Sequence, residues 1–241
     1  MITSLDNERI KKYSKLSKKK YRDSMGLFLV EGEHLVQEAI KADNVVEIFM
    51  LEGTNYDYDG TIVNELVMKK LSNLDTICDI CCVCRKNTNN GIKGSRLLLL
   101  DEIQDPGNLG TIIRSSVAFN IDTIILSENS VDLYNPKVLR ATQGMYNYIN
   151  IITMNSVDCV NKVKKLGITV YGTSVTNGVD VRSLIDIEKN SFLLILGNEG
   201  NGISKSVADL VDKNLYISMN DKVESLNVGV AGSILLYELR R

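Results

Sequence analysis

The sequence predicts an α/β protein: a mostly parallel sheet in the larger, C-terminal part, preceded by a smaller N-terminal α/β region. From residue 97 onward, short apolar runs alternate with segments of helical apolar spacing, the pattern of strands buried under helices on both faces. A polar, Gly/Asn-rich stretch over 85–96 (RKNTNNGIKGSR) has no apolar period and reads as a boundary. With 241 residues, 44% hydrophobic and 24% charged, the chain can bury a core in each of two domains, expected at 1–94 and 95–241.

In the N-terminal part, residues 9–22 hold eight basic residues and no acidic one, leaving 20 basic against 30 acidic residues elsewhere. A local +8 on an acidic body is an electrostatic footprint for phosphates or a solvated basic helix. Tyr13 and Tyr21 could stack on bases or anchor this segment to the core. Strands are expected over 27–30, 45–51 and 76–84, and helices over 31–41 and 62–71. The only histidine, His34, falls in the first of these helices. One histidine excludes the two-His zinc motif H-E-x-x-H and removes most Ser/His/Asp schemes.

Cys78, Cys81, Cys82 and Cys84 crowd one strand, where alternation sends them to both faces, so no metal site is expected. Five cysteines without disulfide-scaffold spacing suit a reducing compartment. No apolar run of about 18 residues is present to span a bilayer, and the polar N-terminus is unlike a signal peptide. The expected location is cytoplasmic, with no membrane partner.

In the C-terminal part, strands are expected over 97–100, 121–126, 148–152, 168–173 and 192–196, and helices over 108–119, 136–142 and 156–166. A further strand leads into a polar loop over 215–222. The closing helix has Leu226, Val230, Ile234 and Tyr237 as its expected buried stripe, with Ser225 or Asn227 to cap its start. Ligands of such sheets sit beyond the carboxyl ends of strands, and the loops over 101–109, 172–178 and 197–202 meet that description. The glycines at 197, 200 and 202 match neither G-x-G-x-x-G nor G-x-x-x-x-G-K-[ST], so ordinary dinucleotide and nucleoside triphosphate binding lose ground. In the first loop Pro106-Gly107 makes the turn, and Asn108 can cap the helix. Arg114 follows nearly two turns later, able to form an ion pair or to clamp a phosphate.

Three separated blocks, DPGNLGTIIRSSVAF (105–119), LILGNEGNGIS (194–204) and LYISMNDKVESLNVGVAGSILLYE (215–238), resemble the three motifs of the SpoU/TrmH-type RNA 2′-O-ribose methyltransferases of the SPOUT superfamily. KKKYRDSMGLFLVEGEHLVQEAI (18–40) resembles the small RNA-binding domain that many members carry. The resemblance implies a methyltransferase domain over 95–241 with a trefoil knot that binds S-adenosylmethionine, a ribosomal-protein-like RNA-binding domain over 1–94, and a homodimer. It implies catalytic roles for Arg114, Asn108, Glu199, Ser225 and Asn227. It implies cofactor contacts at Thr173, Gly197, Gly202, Ile217, Met219 and Leu226, and RNA contacts at Lys18, Lys19, Lys20 and Arg22, with no metal. The sequence departs from the family at Gly229, where members commonly carry Ser, which puts a hydroxyl role there in doubt.

The implied activity is ribose 2′-O-methylation of structured RNA, ribosomal RNA favoured over transfer RNA. A knotted enzyme that methylates a base and a non-catalytic RNA-binding protein are the alternatives. An enzyme working through a Cys–base adduct lacks its Pro-Cys nucleophile, because neither Pro106 nor Pro136 adjoins a cysteine.

Overall fold

The computed structural model describes residues 1–72, 74, 76–88, 91–175, 178–183 and 188–240; positions 89–90 of the expected boundary and 176–177 of the expected second loop lie outside these. In chain order the helices are α1 (Glu8–Tyr13), α2 (Lys19–Met25), α3 (Glu33–Lys41), α4 (Glu65–Leu71), α5 (Pro106–Ala118), α6 (Pro136–Thr142), α7 (Ser156–Lys165), α8 (Lys205–Ala208) and α9 (Val228–Glu238). The strands are β1 (Leu27–Glu31), β2 (Val45–Leu51), β3 (Thr61–Val63), β4 (Ile80–Arg85), β5 (Arg96–Leu100), β6 (Thr123–Leu126), β7 (Asn150–Thr153), β8 (Thr169–Thr173), β9 (Val179–Asp180), β10 (Phe192–Leu196) and β11 (Lys213–Tyr216).

They form two compact units, Met1–Thr88 with Asp132–Asn147, and Asn89–Val131 with Tyr148–Arg241. The segment 132–147 thus packs with the first unit although it is embedded in the sequence of the second, because α6 lies against β1.

In the first unit the sheet order is β1-β4-β2-β3, with β4 antiparallel to both neighbours and β3 parallel to β2. The single helix expected over 62–71 divides into β3 and α4. Asn64 causes the break, since its side chain accepts from the Val67 N–H at 3.0 Å and caps α4. Cys81 packs with Ile10, Tyr13, Phe49 and Met68 in one core cluster, and all five cysteines are buried and free.

The second unit is a seven-stranded sheet in the order β7-β6-β5-β10-β8-β11-β9, parallel at every pairing. Central strands buried on both faces need continuous apolar runs, which β5 and β10 supply with Leu97–Leu100 and Phe192–Leu196. β10 lies between β5 and β8, although it follows both in the chain. α5 begins two residues before the expected start: Asp105, not Asn108, is the N-cap, accepting from the Asn108 N–H at 2.8 Å, with Pro106 in the first turn.

The expected stripe of the closing helix is also corrected. Val230 and Tyr237 are each 47% exposed, and the buried face of α9 is Gly229, Gly232, Leu235 and Leu236. The helix is apolar nearly all round, so spacing alone selects no face; the glycines decide it by permitting close approach. A Cβ on Gly232 would sit 2.6 Å from Leu196 Cδ1. The short β9 and α8 carry too few residues to show a period.

Candidate functional site

The ends of β8, β10 and β11 and the start of α9 enclose a cavity of about 660 Å³. All six residues expected at the cofactor, Thr173, Gly197, Gly202, Ile217, Met219 and Leu226, line it. The wall formed by the 197–203 turn follows from its sequence. Asn198 and Gly202 exchange reciprocal backbone hydrogen bonds at 2.9 Å, and Asn198 Oδ1 accepts from the N–H groups of Gly200 and Asn201. Asn198 Nδ2 donates to the Glu102 carbonyl at 2.9 Å, tying the turn to the loop after β5. Gly202 has φ +69°, and a Cβ on Gly197 would lie 2.1 Å from the Gly202 carbonyl carbon and 2.2 Å from the Ile203 nitrogen. Only glycine lets these backbones approach so closely.

Beside the cavity, three of the expected catalytic residues join one hydrogen-bond chain. Glu199 Oε1 accepts from Asn108 Nδ2 at 3.0 Å and from the Asp105 N–H at 3.1 Å, and Oε2 accepts from the Gln104 N–H at 3.2 Å. Asn108 Oδ1 accepts from Asn227 Nδ2 at 2.9 Å. Asn227 caps α9, its Oδ1 accepting from the N–H groups of Gly229 and Val230. Partial burial pushes the Glu199 carboxyl up, but the hydrogen bonds from Asn108 and from backbone N–H groups outweigh it and hold the group below its ordinary value.

Glu199, Ser225 and Asn227 line the cavity, whereas Asn108 is buried behind them in α5. Arg114 stands exposed on α5, outside the cavity lining, and makes no hydrogen bond or ion pair among the described residues. At Gly229 an added Cβ would sit 3.2 Å from Asn227 Oδ1, a tight approach, and 3.4 Å from Asn108 Oδ1, about ordinary contact.

In the first unit, Lys18, Lys19 and Lys20 are exposed, as contacts to RNA require. Arg22 is not. It is 5% exposed, donates to the carbonyls of Leu16 and Ser17 at 2.9 Å each, and pairs with Asp132 at 2.6 Å. Its guanidinium pins the turn Ser14–Ser17, and the RNA contact expected of it is corrected to a structural role. Tyr13 is buried, anchoring the basic segment. No group of three or more potential metal-ligating side chains occurs among the described residues.

Sequence reasoning missed Asp105 and Asn198, both of which shape the site. The Asp immediately before Pro106 is a recognisable helix-start signal that could have found the first. An Asn two residues before Gly200 is a local turn signal that could have found the second, but its bond to the Glu102 carbonyl depends on the loop after β5.

Residues 95–237 match the SpoU rRNA methylase family, and residues 7–77 match the MRM3-like substrate binding domain. The 23S rRNA (guanosine(2553)-2′-O)-methyltransferase RlmP of Bacillus subtilis (strain 168) is 37% identical over 246 residues, spanning 99% of this chain and 98% of its own length. Among solved structures, a TrmH-family protein from Porphyromonas gingivalis superposes with a TM-score of 0.86 at 31% identity, covering 99% of each chain. An AdoMet-bound rRNA methyltransferase from Sinorhizobium meliloti superposes with a TM-score of 0.84 at 28% identity, covering 100% of this chain and 97% of that one. The glycine-walled cavity, the parallel sheet around it and these full-length likenesses agree: the chain belongs to the SpoU rRNA methylase family.

Proposed function

We propose that this chain transfers a methyl group from S-adenosylmethionine to a ribose 2′-hydroxyl of structured RNA, with ribosomal RNA ahead of transfer RNA. The observation that carries this reading is the cavity that gathers the Gly197–Gly202 turn, Ile217, Met219 and the Ser225–Asn227 segment. It occurs in a chain alike along 99% of its length to an enzyme named for 2′-O-methylation of a 23S rRNA guanosine.

The lining fits the cofactor. Leu196, Leu215, Ile217, Leu226 and Leu235 offer apolar surface, while the turn at 197–202 offers main-chain polar groups at close range. Bound there, S-adenosylmethionine supplies an electrophilic methyl group. A ribose hydroxyl is a weak nucleophile, so the protein must align it and ease the loss of its proton. An arginine side chain is no general base; Arg114 orients a substrate phosphate and stabilises charge developing on the ribose oxygen. Ser225 and Asn227 stand at the cavity wall for contact with the reacting groups, and the exposed Lys18, Lys19 and Lys20 meet RNA phosphates.

We assign RNA binding to 1–94 and methyl transfer to 95–241. A trefoil knot in the terminal segment is supported by β10 lying between the earlier strands β5 and β8, and by α9 returning against α5. A homodimer is supported by the half-exposed Val230 and Tyr237 on the apolar α9. A cytoplasmic location suits five free cysteines.

The test is methyl transfer from labelled S-adenosylmethionine to unmodified ribosomal and transfer RNA, with digestion to nucleosides. A 2′-O-methyl nucleoside supports the reading and selects the RNA. A methylated base overturns the ribose chemistry, and absence of both label and cofactor binding favours a non-catalytic RNA-binding protein.

A further inference from the structure

Asparagine side chains present a donor and an acceptor that interchange on a half-turn of the amide, and only their partners decide which faces where. At Asn108 and Asn227 both ends of the chain of bonds are decided. At one end is Glu199, an ionised acceptor that takes three N–H groups, so Asn108 must turn Nδ2 toward it. At the other end are the Gly229 and Val230 N–H groups, donors only, so Asn227 must turn Oδ1 toward them. Between the two ends, Asn227 Nδ2 donates to Asn108 Oδ1 at 2.9 Å. Every bond in the chain runs in the same sense, from the start of α9 to the carboxylate, an arrangement in which each bond polarises the next.

The consequence falls on the cavity. Asn227 lines it, and its oxygen is already occupied by two helix N–H groups while one of its two amide hydrogens is taken by Asn108. Among the described residues, what remains to offer a ligand is a single N–H. We propose that Glu199 is a positioning residue which, through Asn108, holds Asn227 as a hydrogen-bond donor to an oxygen of the ribose that receives the methyl group. This rests on the methyl-transfer reading above. The carboxylate form at 199 is required because an amide there would oppose an NH₂ to at least one of the three N–H groups it now accepts.

The experiment has two arms on the full-length chain. In the first, side-chain amide NMR signals of Asn227 are followed in the wild type as acid protonates Glu199, and in Glu199→Gln at neutral pH. The Asn227 signals should move in both, although Asn227 makes no hydrogen bond to residue 199; signals that stay in place overturn the relay whether or not any RNA is methylated. In the second arm, single-turnover methyl transfer and cofactor affinity are measured for Glu199→Gln, Asn227→Asp and the double variant. Asn227→Asp keeps an oxygen to cap α9 but cannot donate. Each single variant should lose about 10- to 100-fold in single-turnover rate at saturating cofactor, and the double variant should lose no more than Asn227→Asp alone. A double variant that loses the product of the two single effects, or a Glu199→Gln enzyme at wild-type rate, overturns the proposal. Failure of the underlying reading would show separately, as a wild-type enzyme that makes no 2′-O-methyl nucleoside.

Discussion

Arg96 and Leu239 lie 143 positions apart and are joined by a buried hydrogen bond, Arg96 Nη1 donating to the Leu239 carbonyl at 3.1 Å. The same guanidinium donates to the carbonyls of Phe119 at 3.0 Å and Asn120 at 2.9 Å, and also to Lys189. Phe119 and Leu239 are the C-caps of α5 and α9, so a cation 2% exposed sits at the negative ends of both helices. These are the helices whose first turns carry Asn108 and the cap Asn227. Replacing Arg96 with Met should cost about 2–4 kcal/mol of stability, because one buried and three part-buried carbonyls lose their donor together. Arg96→Lys should recover only part, lacking the planar fork. Urea unfolding of the three proteins checks this; equal midpoints would refute it.

Gly197→Ala should abolish cofactor binding while Gly200→Ala leaves it within a few-fold. The Cβ of the first would lie 2.1–2.4 Å from the Gly202–Ile203 backbone, which cannot yield without opening the turn, whereas the second meets only Asn198 Oδ1 at 3.6 Å. Calorimetric titration with S-adenosylmethionine distinguishes the two.

The basic segment should divide by burial. Changing Lys18, Lys19 and Lys20 to Ala should weaken RNA binding and flatten its salt dependence by roughly 0.7–0.9 in log–log slope for each phosphate no longer neutralised, with unfolding unchanged. Arg22→Ala should instead lower the melting temperature, since it frees Asp132 and the carbonyls of Leu16 and Ser17. Filter binding across a salt series, paired with thermal melts, reads both.

Acid should remove a contribution from Asp212. Partial burial raises its carboxyl, but Lys164 at 2.7 Å and the Val170 N–H at 2.9 Å outweigh that and hold it below its ordinary value. A folded-state value depressed below the unfolded one, about 3.9, gives stability that is fully present above the unfolded value and lost as pH falls through the folded one. Asp212→Asn should therefore be less stable than wild type at neutral pH, and the gap should close as pH falls through the depressed folded-state value. Denaturant midpoints from pH 7 to 2.5 supply the comparison; a constant gap would count against the carboxylate.

Much of this protein was legible in order along the chain. The alternation after residue 97 is enough for a parallel sheet, and the glycines of 197–202 are enough for a tight turn at a strand end, because such features depend on residues within a few positions of each other. The three blocks were likewise readable as parts of one site. The tertiary structure alone decided which polar groups meet. Asn108 finds Glu199 91 positions away and Asn227 119 away, so its reading as a helix cap gave way to a bridge between two loops. Arg96, placed by composition in a polar boundary, and Arg22, placed by charge among RNA contacts, are both buried because carbonyls from distant segments converge on them. The face that α9 buries was settled by Gly232 against Leu196, since an all-round apolar helix has no preferred face until a neighbour supplies one. Local pattern depends on bonds between near neighbours; the pairing of buried donors and acceptors depends on strand order and packing, which no short stretch of sequence contains.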